Sequence, residues 1–317
     1  MEGDTGPVRM RAAILHEMKL PRPYRESKPL KIEMVEIDAP GKDEVLIQVK
    51  AVGLCHSDLS VINGSRPRPT PMALGHEAAG IVMEVGEGVH HFKPGDHVVC
   101  AFVPTCGHCL PCLEGRPNLC ESGAKVNAEG TLLSGERRLH LNSVDVHHHL
   151  GVSGFAEYAV LSRNSLVKVD PDVAFEKLAI FGCAVMTGVG AVVNTARIQF
   201  GSTVAIVGLG GVGLSALIGA VAAGASEIVA VDINPDKLKL ATELGATLTF
   251  DARDPEVIAL IRTRTHGGVN YAVETAGSVK AMEVAYGVTR RGGTTVTAGL
   301  PDPAQQFAFP MAAFTAE

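Results

Sequence analysis

Residues 203–213 read TVAIVGLGGVG, an apolar run from Thr203 to Val207 that breaks into a cluster of four glycines. A short buried strand, a Gly-x-Gly-x-x-Gly turn and an Ala-rich helical segment together bring backbone amides up to a pyrophosphate. The glycines permit the tight turn and the close approach, and the helix N-terminus favours an anion. Gly208, Gly210, Gly211, Val212 and Gly213 are therefore the candidate phosphate-facing residues. A glycine-rich turn can also serve helix packing alone, so the context decides. The next apolar run ends at Asp232, 19 residues beyond Gly213. A carboxylate at that point accepts hydrogen bonds from ribose hydroxyls and repels a 2′-phosphate, which favours NAD over NADP. Lys237 either reaches the same ribose or sits on a solvated helix face.

Around this turn the chain alternates between two periods. Strand candidates at 203–208, 227–233, 247–250, 270–274 and 294–298 are separated by helical segments near 211–223, 235–244, 255–264 and 279–289. Continuous β-branched strands joined by helices predict a parallel sheet covered on both faces. Before residue 178 the pattern differs. VLIQVKAVG, AAGIVMEVG and FKPGDHVVCAF are short β-rich runs punctuated by Gly and Pro, as in a β-barrel or sandwich. The 317 residues thus divide into a β domain over 1–178 and a nucleotide-binding domain over 179–317. Residues 121–154 read as a long polar loop, of the kind that usually carries function.

Charge and hydropathy exclude several partners. Twenty-eight basic and 34 acidic residues give a net charge of −6 with no basic block, so nucleic acid is not expected. Residues 178–196 and 198–226 carry no charge and are long enough to cross a bilayer. The second breaks at its glycines into pieces too short to span, and both read as buried core, with no membrane partner expected. The N-terminal stretch MEGDTGPVRMRAAILHE has an apolar run of only four residues behind acidic ones, unlike a secretory leader. A cytoplasmic protein is the expectation.

The seven cysteines are an odd number, and four of them crowd into 15 residues, which suits metal thiolates better than disulfides. Cys106-x2-Cys109-x2-Cys112-x7-Cys120 supplies four thiolates to one ion. Such a closed zinc site has no open position, and its role is to staple the loop. A second constellation is scattered: Cys55-His56-Ser57-Asp58, Gly75-His76-Glu77, and Cys183. Singly these residues are unremarkable, since cysteine is often a small core residue. Combined with a nicotinamide site, two thiolates and one imidazole give a neutral zinc complex with a fourth position open for an alcohol oxygen. Cys100 reads as a core residue. His140 and the run His147, His148, His149 read as a solvated or partly packed loop.

These motifs resemble the zinc-dependent medium-chain alcohol dehydrogenases. GLCHSD, GHEAAG, the four-cysteine lobe, KPGDHVV and GLGGVG occur in that family's order, and the likeness runs from Arg11 to Ala298. The resemblance implies an α/β plus β architecture, a GroES-like β-barrel catalytic domain followed by a Rossmann doubly wound parallel sheet. It implies two zinc ions per chain and NAD, with Cys55, His76 and Cys183 holding the catalytic zinc and Cys106, Cys109, Cys112 and Cys120 the structural one. In the same way Ser57 matches the hydroxyl that hydrogen-bonds the alcohol, and Asp58 the acid that orients His76. Glu77 lies beside the zinc as an alternative ligand, and His56 matches a contact to the coenzyme pyrophosphate. The implied reaction passes hydride from a zinc-bound alcohol to nicotinamide, with the proton leaving through Ser57 and the ribose.

Two departures qualify this. Where some members end the proton relay in a histidine, this chain has Ser60, so Ser60 or water takes that step. Where the glutathione-dependent formaldehyde branch has an arginine after the lobe, this chain has Ala124, which favours a primary alcohol or its aldehyde. A zinc-free quinone or enoyl-type reductase is an alternative that would lack both cysteine sets. The family's return segment is expected to be missing, because Glu317 follows so soon after the strand at 294–298. A truncated, non-catalytic zinc- and nucleotide-binding homologue is therefore the other alternative. The resemblance also implies a homodimer.

Overall fold

The computed structural model describes residues 6–309 and 312, so the first five residues of the stretch read for a leader lie outside it. The chain forms two compact units, one ending at Cys183 and the other beginning at Ala184.

Among the described residues the first unit holds ten strands: β1 (Val8–Leu15), β2 (Leu30–Ile37), β3 (Glu44–Gly53), β4 (Met72–Ala73), β5 (Glu77–Val85), β6 (His97–Cys100), β7 (Leu139–Leu141), β8 (Val144–His148), β9 (Tyr158–Ser162) and β10 (Leu166–Lys168). Its helices are α1 (Tyr24–Ser27), α2 (His56–Ile62), α3 (Leu110–Leu113), α4 (Glu121–Glu129) and α5 (Phe175–Leu178). A closed barrel runs β1-β2-β7-β8-β4, and a second sheet runs β10-β6-β5-β3-β9. In β1 the inward Met10, Ala12 and Ile14 meet Val35 and Ile37 of β2 and Val146 of β8. In the second sheet Val45 and Ile47 of β3 pack on Ala78 and Val82 of β5 and Leu161 of β9. Full burial of each such Val, Ile or Leu side chain contributes about 1.5–3 kcal/mol.

The polar loop expected over 121–154 is not a loop. It folds into α4 and the β7–β8 hairpin, which supplies two staves of the barrel. Asn142 and Ser143 form the turn with φ of 51° and 64°, the left-handed pair that a two-residue hairpin needs. The strands read as polar because half of their side chains face outward. His148 and His149 are correspondingly buried, at 1% and 2% exposure, deeper than the solvated or partly packed loop expected there.

The second unit contains α6 (Ala184–Gly190), β11 (Thr203–Val207), α7 (Gly211–Ala222), β12 (Glu227–Asp232), α8 (Pro235–Glu243), β13 (Leu248–Asp251), α9 (Val257–Arg264), β14 (Val269–Glu274), α10 (Val279–Val288) and β15 (Thr289–Thr297). These strands pair in parallel, in the order β13-β12-β11-β14-β15. The continuous apolar runs divide by alternation between the two faces. Val204 and Ile206 of β11 pack with Ala216 and Leu217 of α7. Ala205 and Val207 pack with Ile261 of α9 and Ala285 of α10 on the other side. Chain order reverses between β12 and β14 on either side of β11, the switch point at which open α/β sheets bind ligands. The uncharged stretch 178–196 is not one element, because a 3-10 turn ends at Gly182 and α6 starts at Ala184. Among the described residues no single helix is long and apolar enough to cross a membrane.

Candidate functional site

The four lobe cysteines come from the turns around α3 and the start of α4. Their sulfurs all lie within 4.8 Å of one another. Backbone amides point at them: Cys106 and Gly123 donate to Cys120 Sγ at 3.2 and 3.3 Å, and Cys109 donates to Cys106 Sγ at 3.3 Å. The thiols respond in opposite directions. The amide of His108, with that of Cys109, draws Cys106 down to about 5, whereas Cys112 is pushed up to about 12 by burial and by its neighbours. Four sulfurs this close cannot all ionise unless a cation offsets their repulsion. No apolar core holds the lobe, since Leu110, Leu113 and Leu119 are exposed. The donor set fits a tetrahedral zinc.

The second cluster gathers Cys55, His76, Glu77 and Cys183, each offering a donor atom within 4.8 Å of the others. Cys55 is the N-cap of α2. Its sulfur accepts the Asp58 amide, while Asp58 Oδ2 accepts the Cys55 amide at 3.3 Å, a reciprocal capping box. Gly75, at φ +88°, makes the turn into β5 that carries His76 and Glu77; a Cβ there would collide with the Phe155 backbone. Cys183 follows the 3-10 turn Ala179–Gly182, with its sulfur 4.0 Å from that of Cys55.

Cys183's hydrogen bond holds the Cys55 thiol far below its usual range, and Cys55 in turn raises Cys183. Burial would lower His76, yet Asp58 and Cys55 outweigh it and raise the ring to about 10. Nδ1 faces Asp58, so the proton on Nε2 is the one a cation would displace. His76 Nδ1 lies 3.3 Å from Asp58 Oδ1, so Nε2 is its remaining donor atom. Burial, then the Cys55 charge, raises Glu77. Ser57 Oγ sits 3.7 Å from Cys55 Sγ, and His56 is exposed on the first turn of α2.

In the second unit, Gly208 adopts φ +93°, and a Cβ at Gly213 would run into the Gly208 carbonyl. Beyond Gly210 a Cβ would meet only open space, where a phosphate can approach. Gly211 and Val212 begin α7, whose N-terminus faces this turn. A cavity of about 310 Å³ opens beside it, lined among others by Val207, Gly208, Val231, Asp232, Ala276 and Ser278.

Residues 41–171 match the family model of the alcohol dehydrogenase GroES-like domain, and residues 211–317 that of the zinc-binding dehydrogenases. The chain belongs to the zinc-dependent medium-chain alcohol dehydrogenase family. Solved structures agree. A zinc-binding-domain alcohol dehydrogenase protein from Burkholderia ambifaria is 36% identical with a TM-score of 0.90, over 98% of this chain and 82% of that one. Benzyl alcohol dehydrogenase from Acinetobacter calcoaceticus is 34% identical with a TM-score of 0.89, over 97% and 82%. A zinc-binding dehydrogenase from Sinorhizobium meliloti 1021, bound to NADP, is 28% identical with a TM-score of 0.79, over 97% and 82%.

Within this dehydrogenase several expected residues stand differently from their first reading. The Ser60 hydroxyl donates to the His56 carbonyl at 2.9 Å and the residue is buried, which turns it away from a relay to solvent. Asp232 caps two backbone amides, Leu209 at 2.7 Å and Asn234 at 2.9 Å, and so fastens the glycine turn to the end of β12 while bordering the cavity. Lys237 is half-buried on the first turn of α8. His149 was not anticipated as part of any site, yet its Nδ1 lies 3.2 Å from Asp58 Oδ1.

Proposed function

We propose that this chain is an NAD-dependent zinc alcohol dehydrogenase passing hydride between a primary alcohol, or its aldehyde, and nicotinamide. The convergence of Cys55, His76 and Cys183 from three distant segments, with Glu77 beside them, carries the reading. Zinc in that set supplies a Lewis acid that favours loss of the alcohol proton, and NAD supplies the hydride acceptor. Asp58 holds the Nδ1 proton of His76 and so fixes the tautomer that offers Nε2 as ligand. Ser57, on the same helical turn as Cys55, is placed to take the substrate proton. Its onward path is to the ribose and water, because Ser60 is engaged with its own helix. Glu77, in the same cluster, is an alternative zinc ligand. The lobe cysteines hold a second, structural zinc.

The glycine turn binds the pyrophosphate, with the exposed His56 as a further contact. Asp232 reads the ribose through lone pairs that its two amide bonds leave free, and its charge favours NAD, unlike the NADP seen with the S. meliloti protein. Ala124 argues against a glutathione adduct, and the likeness to benzyl alcohol dehydrogenase makes an aromatic primary alcohol the first substrate to try. A cytoplasmic homodimer belongs to the same reading.

The test is metal analysis together with benzaldehyde-dependent NADH oxidation. We expect two zinc ions per chain and measurable turnover. Full zinc loading without turnover on any primary aldehyde would favour the non-catalytic alternative.

A further inference from the structure

Asp58 is shared more widely than the orientation of one ligand requires. Its Oδ1 accepts the Gly75 amide at 2.9 Å and lies 3.3 Å from His76 Nδ1 and 3.2 Å from His149 Nδ1. One carboxylate oxygen offers two lone pairs, which the Gly75 amide and the His76 ring take, and the His149 ring nitrogen stands beside them as a third neighbour. The two imidazoles stand edge to face, with centroids 5.5 Å apart and planes at 80°. His149 is 2% exposed, and its enclosed Nδ1 approaches Asp58 closely but out of hydrogen-bond alignment. The turn that carries it is fixed. The His149 amide donates to Ser153 Oγ at 3.0 Å, and its carbonyl accepts from Val152 and Ser153 at 3.0 and 3.2 Å. The ring is thus built into the site, with its Nδ1 beside the acceptor that His76 uses. A carboxylate bond to a ligating histidine raises its basicity toward the metal, so dividing the carboxylate lowers it.

We propose that His149 is a positioning residue for His76, drawing on Asp58 Oδ1 so that the ligand imidazole is held more loosely and donates less strongly to the metal. The proposal rests on the reading of Cys55, His76 and Cys183 as a zinc set. Its consequence is a weaker-held, more strongly electrophilic ion than Asp58 and His76 alone would give.

Two substitutions separate this from mere packing. His149→Phe keeps a ring of similar size without a donor, and His149→Asn returns an amide N–H at the reach of Nδ1. Zinc affinity is measured by chelator competition, and the cobalt-substituted protein's visible spectrum reports the ligand field. The four-cysteine lobe is the internal reference. We expect His149→Phe to tighten the scattered site by about tenfold, at the lower end of outer-shell effects, and to shift the cobalt bands, with the lobe unchanged. His149→Asn should restore the wild-type affinity and spectrum. An unchanged or weakened affinity in His149→Phe would overturn the proposal. A wild-type chain that loads metal in the lobe alone would overturn both this inference and the catalytic reading.

Discussion

Ser57 stands two residues past Cys55, half-buried, with its hydroxyl 3.7 Å from the Cys55 sulfur. In the proposed reaction a hydroxyl placed there would handle the substrate proton without holding the metal. Ser57→Ala should therefore lower kcat by about 10²–10⁴-fold while zinc content and NADH affinity stay as in the wild type. Turnover at the wild-type rate would remove Ser57 from the proton path. Residues of this kind were legible because metal chemistry admits few side chains, and Cys55 to Asp58 lie within one short motif. His149 was not legible. It stands in a run of three histidines that reads as surface, and its partner Asp58 is 91 positions earlier. Only closure of the barrel brings the two together. Asp232 was half legible: the spacing from the glycines singled out the residue that borders the cavity, but its bonds to the Leu209 and Asn234 amides arise only when β12 lies beside β11.

Among the elements, the cysteine lobe depends on its sulfurs. α3 has four residues, none buried, so neither helix length nor an apolar face keeps it in place. Cys112→Ser should lower zinc from two ions to one per chain and make the 106–120 segment the first site of proteolysis. Retention of two ions would refute the four-ligand assignment. Elsewhere the sheet of the second unit was readable almost residue by residue, because strands buried on both faces must be apolar throughout. The β7–β8 hairpin escaped notice for the opposite reason. Its strands are short and face water on one side, and the Asn142–Ser143 turn lacks the glycine that marks most such turns. β15 begins five residues before the apolar run that announced it, in a stretch that is largely exposed and so carries little hydrophobic signal.

For the molecule as a whole, acid should act unequally on its two units. Burial, with the nearby Arg137 and Arg138 charges, pushes His148 of the barrel down to about 3. Between pH 6.5 and 3 the unfolded chain binds a proton at this position that the folded chain refuses, so stability falls as pH falls. The slope from this one group is about 1.4 kcal/mol per pH unit, and it vanishes above pH 6.5. The second unit has a single histidine, His266, and it is exposed. Denaturant titrations at pH 7.5 and 5.5 should show the barrel unit losing stability, with the loss reduced in His148→Gln; an equal loss in that variant would exclude His148 as the cause. The two metal sets also differ in how much chain each must close. Cys106 to Cys120 span 15 residues and Cys55 to Cys183 span 129. Closing the longer loop costs about 2 kcal/mol more by chain-length scaling, and it further requires β5 to be paired with β3. A chain leaving the ribosome completes its compact clip at residue 120, while the dispersed set waits for residue 183 and a finished barrel. If both sets hold zinc as proposed, the clip would fill first under zinc shortage, and the species that accumulates would be stapled, durable and inert.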